Sequence, residues 1–185
     1  MVIDLGYYVG SPRRVIRKML KLAKPQYGEL VVDIGSGEGN VVVEAALKYP
    51  DIRCLGYEIN PDAVKHSRKR IFDKGLESRV EIIEGDVFDY NLGDADIVTT
   101  YLQSSGMIAI EDKIFTELGI NARLVSHDYG FGKHRPNKWR PLLARSAFET
   151  WSPFPVPHSI KIYWMNDIKI RKPLKETMRD FFKNL

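Results

Sequence analysis

Cysteine is nearly absent. Cys54 is the only one in 185 residues, so no internal disulfide can form and the expected setting is a reducing cytoplasm. Long apolar runs are missing as well. No stretch approaches the roughly 20 residues that a membrane helix requires, so no span of a bilayer is expected. The opening residues MVIDLGYYVG lack a basic segment followed by an apolar one, which predicts no secretory signal. Internal repeats, low-complexity tracts and long linkers are also lacking, and a single domain over 1–185 is the expectation. Charge of one sign does not dominate: 28 Lys and Arg against 24 Asp and Glu leave +4, a weak bias toward an acidic partner. What is present, 44% hydrophobic and 28% charged residues, suits a soluble globular chain with a full core.

The sequence is organised around residues 31–40, VVDIGSGEGN. An apolar run enters Asp33, the turn Gly35-x-Gly37-x-Gly39 follows, and VVVEAALKY then reads as a helix. Glycines let backbone approach a ligand closely, and a helix N-terminus offers unpaired N–H groups. Dinucleotide folds space the glycines G-x-G-x-x-G, which leaves room for a pyrophosphate. Here the third glycine comes one residue early, and Glu38 puts negative charge where a diphosphate would lie. A cationic, phosphate-free nucleoside suits the turn better, and S-adenosyl-L-methionine is the obvious one. The plain alternative is a glycine-rich connector without a ligand.

Taken in order, Ser11-Pro12 reads as an N-cap and first turn for a helix with Val15, Ile16, Met19, Leu20 and Ala23 on one face. Its other face carries Arg13, Arg14, Arg17, Lys18 and Lys21, the pattern of a solvated side. Strands are expected at 30–34, 52–58, 80–83, about 95–101 and 123–129. Helices follow the glycine turn, start at Asn60-Pro61 with Gly75 as C-cap, and run from about Met107 to Leu118. The segment 130–158 shows no clear period. AFETW and SIKIYWM read as an antiparallel hairpin at the sheet edge, and Pro173 opens a short amphipathic helix to Leu185. The alternation through residue 129 argues a doubly wound, mostly parallel α/β sheet. Its expected division is an N-terminal lid and helix over 1–24, a cofactor-binding core over 25–129 and a substrate-side segment over 130–185.

In such a sheet ligands sit beyond the carboxyl ends of the strands, where the strand order reverses. Asp33 and the Gly35–Gly39 backbone would face the amino-acid part of the cofactor. Glu58 ends the second strand and could accept both ribose hydroxyl protons. Asp86 could accept from the adenine amino group, with Val87 or Phe88 against the ring. Tyr101 and Leu102 would border the transferred methyl group. Each alone has an ordinary explanation: an acid at a strand end is commonly a turn or cap residue, and a tyrosine is commonly core. Their occurrence in order on successive strand ends is the argument.

Two absences narrow the acceptor. No cysteine follows strand four, and Cys54 lies within strand two, which argues against attack through a cysteine adduct. Strand four ends in Thr100-Tyr101-Leu102-Gln103, without the Asn/Asp-Pro-Pro-Tyr/Phe arrangement that planar amines of nucleobases or glutamine need. An alkyl amine needs only to lose its proton and align with the sulfonium. For lysine at pH 7 that loss costs about 4.6 kcal/mol, from a reference pKa of about 10.4. A narrow aromatic channel beside the cationic sulfur lowers the amine pKa by desolvation and repulsion, and near-attack alignment supplies the rest. Tyr8, Tyr101, His127 and Trp139 are the residues that could line it.

The core resembles class I, Rossmann-like S-adenosylmethionine-dependent methyltransferases. YYVGSPRRVIRKMLKLAK, VVDIGSGEGN, GYEINPDAVKHSRKRI, EGDVFDY and DIVTTYL are similar to the archaeal protein-lysine methyltransferases and to their mitochondrial relatives acting on ATP synthase and nucleotide-carrier lysines. The DIGSGEGNVV turn is more distantly similar to non-SET nucleosomal lysine methyltransferases, and LVSHDY and HSIKIYW look like late strands of the lysine group. The resemblance covers residues 7–129 and 158–165, with Gly10-Ser11 where the family usually has Pro-Thr. It implies cofactor contacts at Tyr8, Asp33, Gly35, Gly37, Glu58, Asn60 and Asp86. With their neighbours Ile34, Ser36, Gly39, Asn40, Ile59, Val87 and Tyr101, these form the candidate cofactor site. Tyr8 and Tyr101 are the catalytic candidates, and no metal ligand is assigned. The expected activity is methylation of protein lysines by a cytoplasmic monomer. Rival readings are an RNA methyltransferase, suggested by Lys133, His134, Arg135, Lys138, Trp139, Arg140 and Arg145, a small-molecule methyltransferase, or a cofactor-binding module without catalysis.

Overall fold

The protein is described by a computed structural model over residues 10–144, 156–167 and 169–170. Helix α1, Arg13–Ala23, buries Val15, Ile16, Met19, Leu20 and Ala23, the face its spacing predicts. Strand β1 (Leu30–Ile34), helix α2 (Asn40–Lys48), β2 (Arg53–Glu58), α3 (Pro61–Phe72) and β3 (Val80–Glu84) follow. Next come β4 (Ile97–Thr100), α4 (Ser104–Glu117), β5 (Arg123–His127), β6 (His134–Arg135), β7 (Lys138–Ala144), β8 (Val156–Trp164) and β9 (Lys169–Ile170).

The main sheet has seven strands in the order β3-β2-β1-β4-β5-β8-β7. The first five are parallel, and β8 and β7 join as an antiparallel pair, so the doubly wound sheet closed by a hairpin is as expected. Because β1 lies between β2 and β4, the strand order reverses at β1, and a crevice opens beyond its carboxyl end. One apolar layer packs α1, α2 and α3 on one face, and a second, centred on Met107, Ile110, Ile114 and Leu124, packs α4 on the other. Parallel strands covered on both faces are nearly continuous in apolar residues, as β1 is, and all four residues of β4, Thr99 and Thr100 included, are buried.

Several local expectations are revised. Pro12, not Ser11, occupies the cap position of α1, and the Ser11 hydroxyl lies 2.8 Å from His127 Nδ1 instead. The basic face of α1 is not wholly solvated: Arg13 and Arg17 both bond the nearly buried Glu44 of α2, at 2.8 and 2.5 Å. Burial alone would raise the Glu44 pKa, but the two guanidiniums outweigh it and hold the carboxyl below its usual range. Asn60 caps α3 as expected, its Oδ1 accepting from the Asp62 and Ala63 N–H groups. That helix is C-capped by Asp73, and Gly75, with φ of +63°, comes two residues later in the following turn. Helix α4 begins at Ser104, a turn before the predicted start, because Ser104-Ser105-Gly106 offers no apolar signal.

The hairpin partner of β8 is β7, inside the segment read as aperiodic. As an edge strand β7 exposes Lys138, Trp139, Arg140, Pro141 and Leu143, so it shows no alternation to detect. Strand β8 begins earlier than predicted, at Val156, and Pro157 is tolerated there because β5 pairs only with Ile160–Trp164. AFETW, the helix after Pro173 and Tyr8 lie outside the described residues.

Candidate active site

The β1–α2 turn is built by left-handed glycines, with φ of 71° at Gly35, 52° at Gly37 and 71° at Gly39. A side chain at Gly35 would come within 2.7 Å of Leu102, which follows β4, so the turn and the β4 tip are in close contact. The N–H groups of Gly35 and Ser36 both donate to the Tyr57 carbonyl at 3.0 Å, which folds the turn over the end of β2. Glu58 completes that join. Its Oε2 accepts from the Gly37 N–H at 2.7 Å and its Oε1 from the Asn60 N–H at 2.9 Å. Each oxygen keeps a lone pair, so the carboxylate can still accept two hydroxyl protons.

Strand register aligns the candidates. Ile34 pairs with Tyr57 on one side and Thr100 on the other, so Gly35, Glu58 and Tyr101 lie in one row across neighbouring strand tips. Glu58 pairs with Glu84, which puts Asp86 two residues beyond the next tip. Asp86 is exposed, and its Oδ1 accepts from the Phe88 N–H at 3.0 Å, a capping bond for the short turn over Val87–Asp89. Val87 is buried in the core, which leaves the half-exposed Phe88 as the ring available to a base. Ile34 is likewise core, whereas Ile59 is exposed beside Glu58. Asn60 acts through its cap and through Glu58, and Asn40 is tied to Arg70 of α3.

Asp33 is nearly fully buried, one residue below the tip, and Thr99 Oγ1 donates to its Oδ1 at 2.6 Å. Burial pushes its carboxyl up to about 8, partly offset by the Thr99 hydroxyl and reinforced by the Glu58 charge. Ser36 Oγ is buried without a hydrogen-bond partner, against Gly56, where an added side chain would meet it at 2.6 Å. An acid held neutral by desolvation and an orphaned hydroxyl beside a glycine cradle suit a ligand that brings positive charge and polar groups. Among residues 35–40 the one charged side chain is Glu38, which disfavours a diphosphate.

Beyond β4, the half-buried Tyr101 packs its ring 3.9 Å from that of His127, between centroids, and 6.3 Å from that of Tyr129. His127 is fully buried beneath this wall, and its imidazole is held neutral chiefly by desolvation, which lowers its pKa. Trp139 does not join it. Its strand position is level with Ser126, three strands from β4, or about 14 Å away at the usual spacing. The RNA-suggesting cluster is also partly engaged: Lys133 Nζ bonds Asp112 at 2.6 Å and His134 Nδ1 lies 2.8 Å from the buried Glu111. Residues without a sequence signal are Thr99, which orders Asp33, and Asp128 and His158, which contact His127 from a loop and from β8. No local spacing links them. A concavity of about 540 Å³ lined by Glu29, Asp96, Arg123 and Trp164, among others, opens at the amino ends of the strands, away from this row.

Residues 33–138 match the ANTKMT methyltransferase domain, more than half of the chain. The chain belongs to that family. A protein-lysine N-methyltransferase of Saccharolobus islandicus is 30% identical over 122 residues, 66% of this chain and 76% of the relative. The adenine nucleotide translocase lysine N-methyltransferase of Mus musculus is 32% identical over 135 residues, 73% of this chain but only 56% of the relative. Among solved structures, an RNA methyltransferase of Salinibacter ruber in complex with S-adenosyl-L-homocysteine superposes with a TM-score of 0.75. It is 29% identical, and the match covers 90% of this chain and 99% of that one. This ANTKMT-family domain is thus an S-adenosylmethionine-dependent methyltransferase, and its strand-tip residues fit that cofactor by charge and by donor set.

Proposed function

We propose that this domain methylates the ε-amino group of lysine in protein substrates. Its relatives' names support the acceptor, and the observation that carries it structurally is the aromatic wall of Tyr101 and Tyr129 over a buried neutral His127. When bound, the cofactor supplies an electrophilic methyl group on a sulfonium. The chain's task is to hold the ribose at Glu58, the base near Asp86 and Phe88, and the cationic end near Asp33. Tyr101 is set to desolvate an approaching ammonium, which drives off its proton. Tyr8 is proposed as a second catalytic residue. Methylation of lysine retains its charge while changing its hydration.

The same reading takes the chain as one domain working as a cytoplasmic monomer. A lone cysteine supports the cytoplasmic setting, and burial pushes the Cys54 thiol up to about 12, which keeps it protonated. The edge strand β7 carries Lys138, Arg140 and Pro141, residues that discourage pairing of sheet edges. No helix among the described residues is long and apolar enough to cross a membrane.

Radiolabelled methyl transfer into a cell extract tests the acceptor. Label in protease-sensitive, nuclease-resistant material that yields methyl-lysine on hydrolysis is expected. The Salinibacter ruber relative and the exposed Arg135, Lys138 and Arg140 keep RNA as the second reading, and nuclease-sensitive label would establish it.

A further inference from the structure

The ends of β5 and β8 bring His127, whose ring lies under Tyr101, together with Asp128 and His158, to which the methyl transfer assigns no task. His127 and His158 are buried, and Asp128 between them is about one quarter exposed, with 26% of its side chain accessible. Around one point stand His127 Nε2, His158 Nδ1 and Asp128 Oδ2. The two nitrogens are 2.9 Å apart, and they lie 3.2 and 3.1 Å from the carboxylate oxygen. Among the described residues this is the cluster able to hold a metal ion.

Around a carboxylate, hydrogen bonds satisfy such a triangle poorly. If both ring nitrogens carry hydrogen, both donate to Asp128, and two donors then face each other at 2.9 Å. If either lacks its hydrogen, its lone pair confronts a carboxylate lone pair at 3.1 or 3.2 Å. With Asp128 as a carboxylate, one edge of the triangle is repulsive in each of these arrangements. A cation at the centre satisfies all three atoms together.

The dimensions also fit. Ligands about 2.1 Å from a first-row metal stand about 3.0 Å apart at cis positions of an octahedron, and about 3.4 Å apart in a tetrahedron. The contacts around the triangle are those that orient metal ligands. Ser11 Oγ, 2.8 Å from His127 Nδ1, can accept its proton and so leave Nε2 as a lone pair. Asp128 Oδ1 accepts from the Ser159 N–H at 2.5 Å, which turns Oδ2 toward the histidines. Asp128 itself is held at φ of +56°, an unfavourable conformation for a residue with a side chain.

We propose that His127, Asp128 and His158 form a two-histidine, one-carboxylate face for a divalent first-row transition ion, with its remaining positions open to water. Lys161 limits the choice of ion. Its ammonium bonds the Asp128 carbonyl and opposes a dication, so an ion bound through imidazole nitrogen is favoured over magnesium or calcium, which depend on carboxylate charge. The site joins the last parallel strand to the antiparallel one directly beneath Tyr101. It stands independently of the acceptor, because no part of it depends on lysine methylation.

Cobalt(II) is the probe, since its visible bands report coordination. The full chain, stripped with a chelator and dialysed against cobalt(II), is expected to retain about one equivalent with the weak absorption of a six-coordinate ion. His158→Gln and Asp128→Asn should each weaken retention by more than the roughly 10–100-fold that loss of an outer-shell partner costs, and Ser11→Ala should fall within that range. Far-UV circular dichroism identifies any variant that has not folded, and the other ligand variant then decides. Failure of the unmodified chain to retain cobalt(II), nickel(II) or zinc(II) through gel filtration would overturn the proposal. So would retention indifferent to both ligand substitutions.

Discussion

Each carboxylate oxygen of Glu58 already holds a backbone N–H, so loss of this side chain loosens the glycine turn as well as removing a ligand contact. Glu58→Ala should weaken binding of S-adenosylhomocysteine by about 1.5–3 kcal/mol, the usual worth of a charged hydrogen bond. Calorimetry showing unchanged affinity would remove Glu58 from the site. Asp33 gives a pH signature. Its folded pKa of about 8 lies above the ordinary 3.8, so the folded state binds the extra proton across that interval. Stability from this group is complete below about pH 4 and is lost as pH rises through about 8. The ligand-free domain should therefore melt at lower temperature as pH climbs from 4 toward 8, and Asp33→Asn should flatten that slope. A cationic ligand favours the ionised form, so cofactor affinity should rise with pH over the same window, measurable by calorimetry at pH 6 and 8. The identity and place of both acids were readable from the strand ends. Their burial and their partners, Thr99 and the turn backbone, were not, because those come from strands far apart in sequence.

At the scale of elements, buried Glu111 of α4 accepts from the N–H groups of Gly132, Lys133 and His134 at 3.1, 2.7 and 3.0 Å. One helix position thereby fixes the loop that leads from β5 to the hairpin. Glu111→Ala would leave several of those donors unpaired, and a loss of about 3 kcal/mol is expected in urea unfolding. Faster amide exchange confined to residues 131–135 should accompany it. Elements with strong periodicity, such as α1, or with explicit caps, such as α3, were legible in advance. Strand β7 was not. An edge strand with proline and exposed cations has no second face to reveal it, and only pairing with β8 makes it a strand.

For the molecule as a whole, the ligand bridges the tips of separate strands, so binding should couple to global stability. At a concentration about 100 times Kd, S-adenosylhomocysteine adds about 2.7 kcal/mol, which for a domain of this size raises Tm by roughly 5–11 °C. Scanning calorimetry of the unmodified chain and of Glu58→Ala checks this: the variant should lose most of the increase. An equal increase in both would show that the ligand is held elsewhere.

The sequence alone determined the glycine turn, the alternation of strands and helices, and the acids at successive strand ends. All of these are set by local backbone preference and short-range spacing. The tertiary structure decided that Asp33 is desolvated, that Glu58 grips the turn, and that Tyr101 packs at a tilt against His127. It also gathered His127, Asp128 and His158, which lie on β5, a loop and β8. These features depend on strand order and register, and no short-range pattern encodes which distant strands become neighbours.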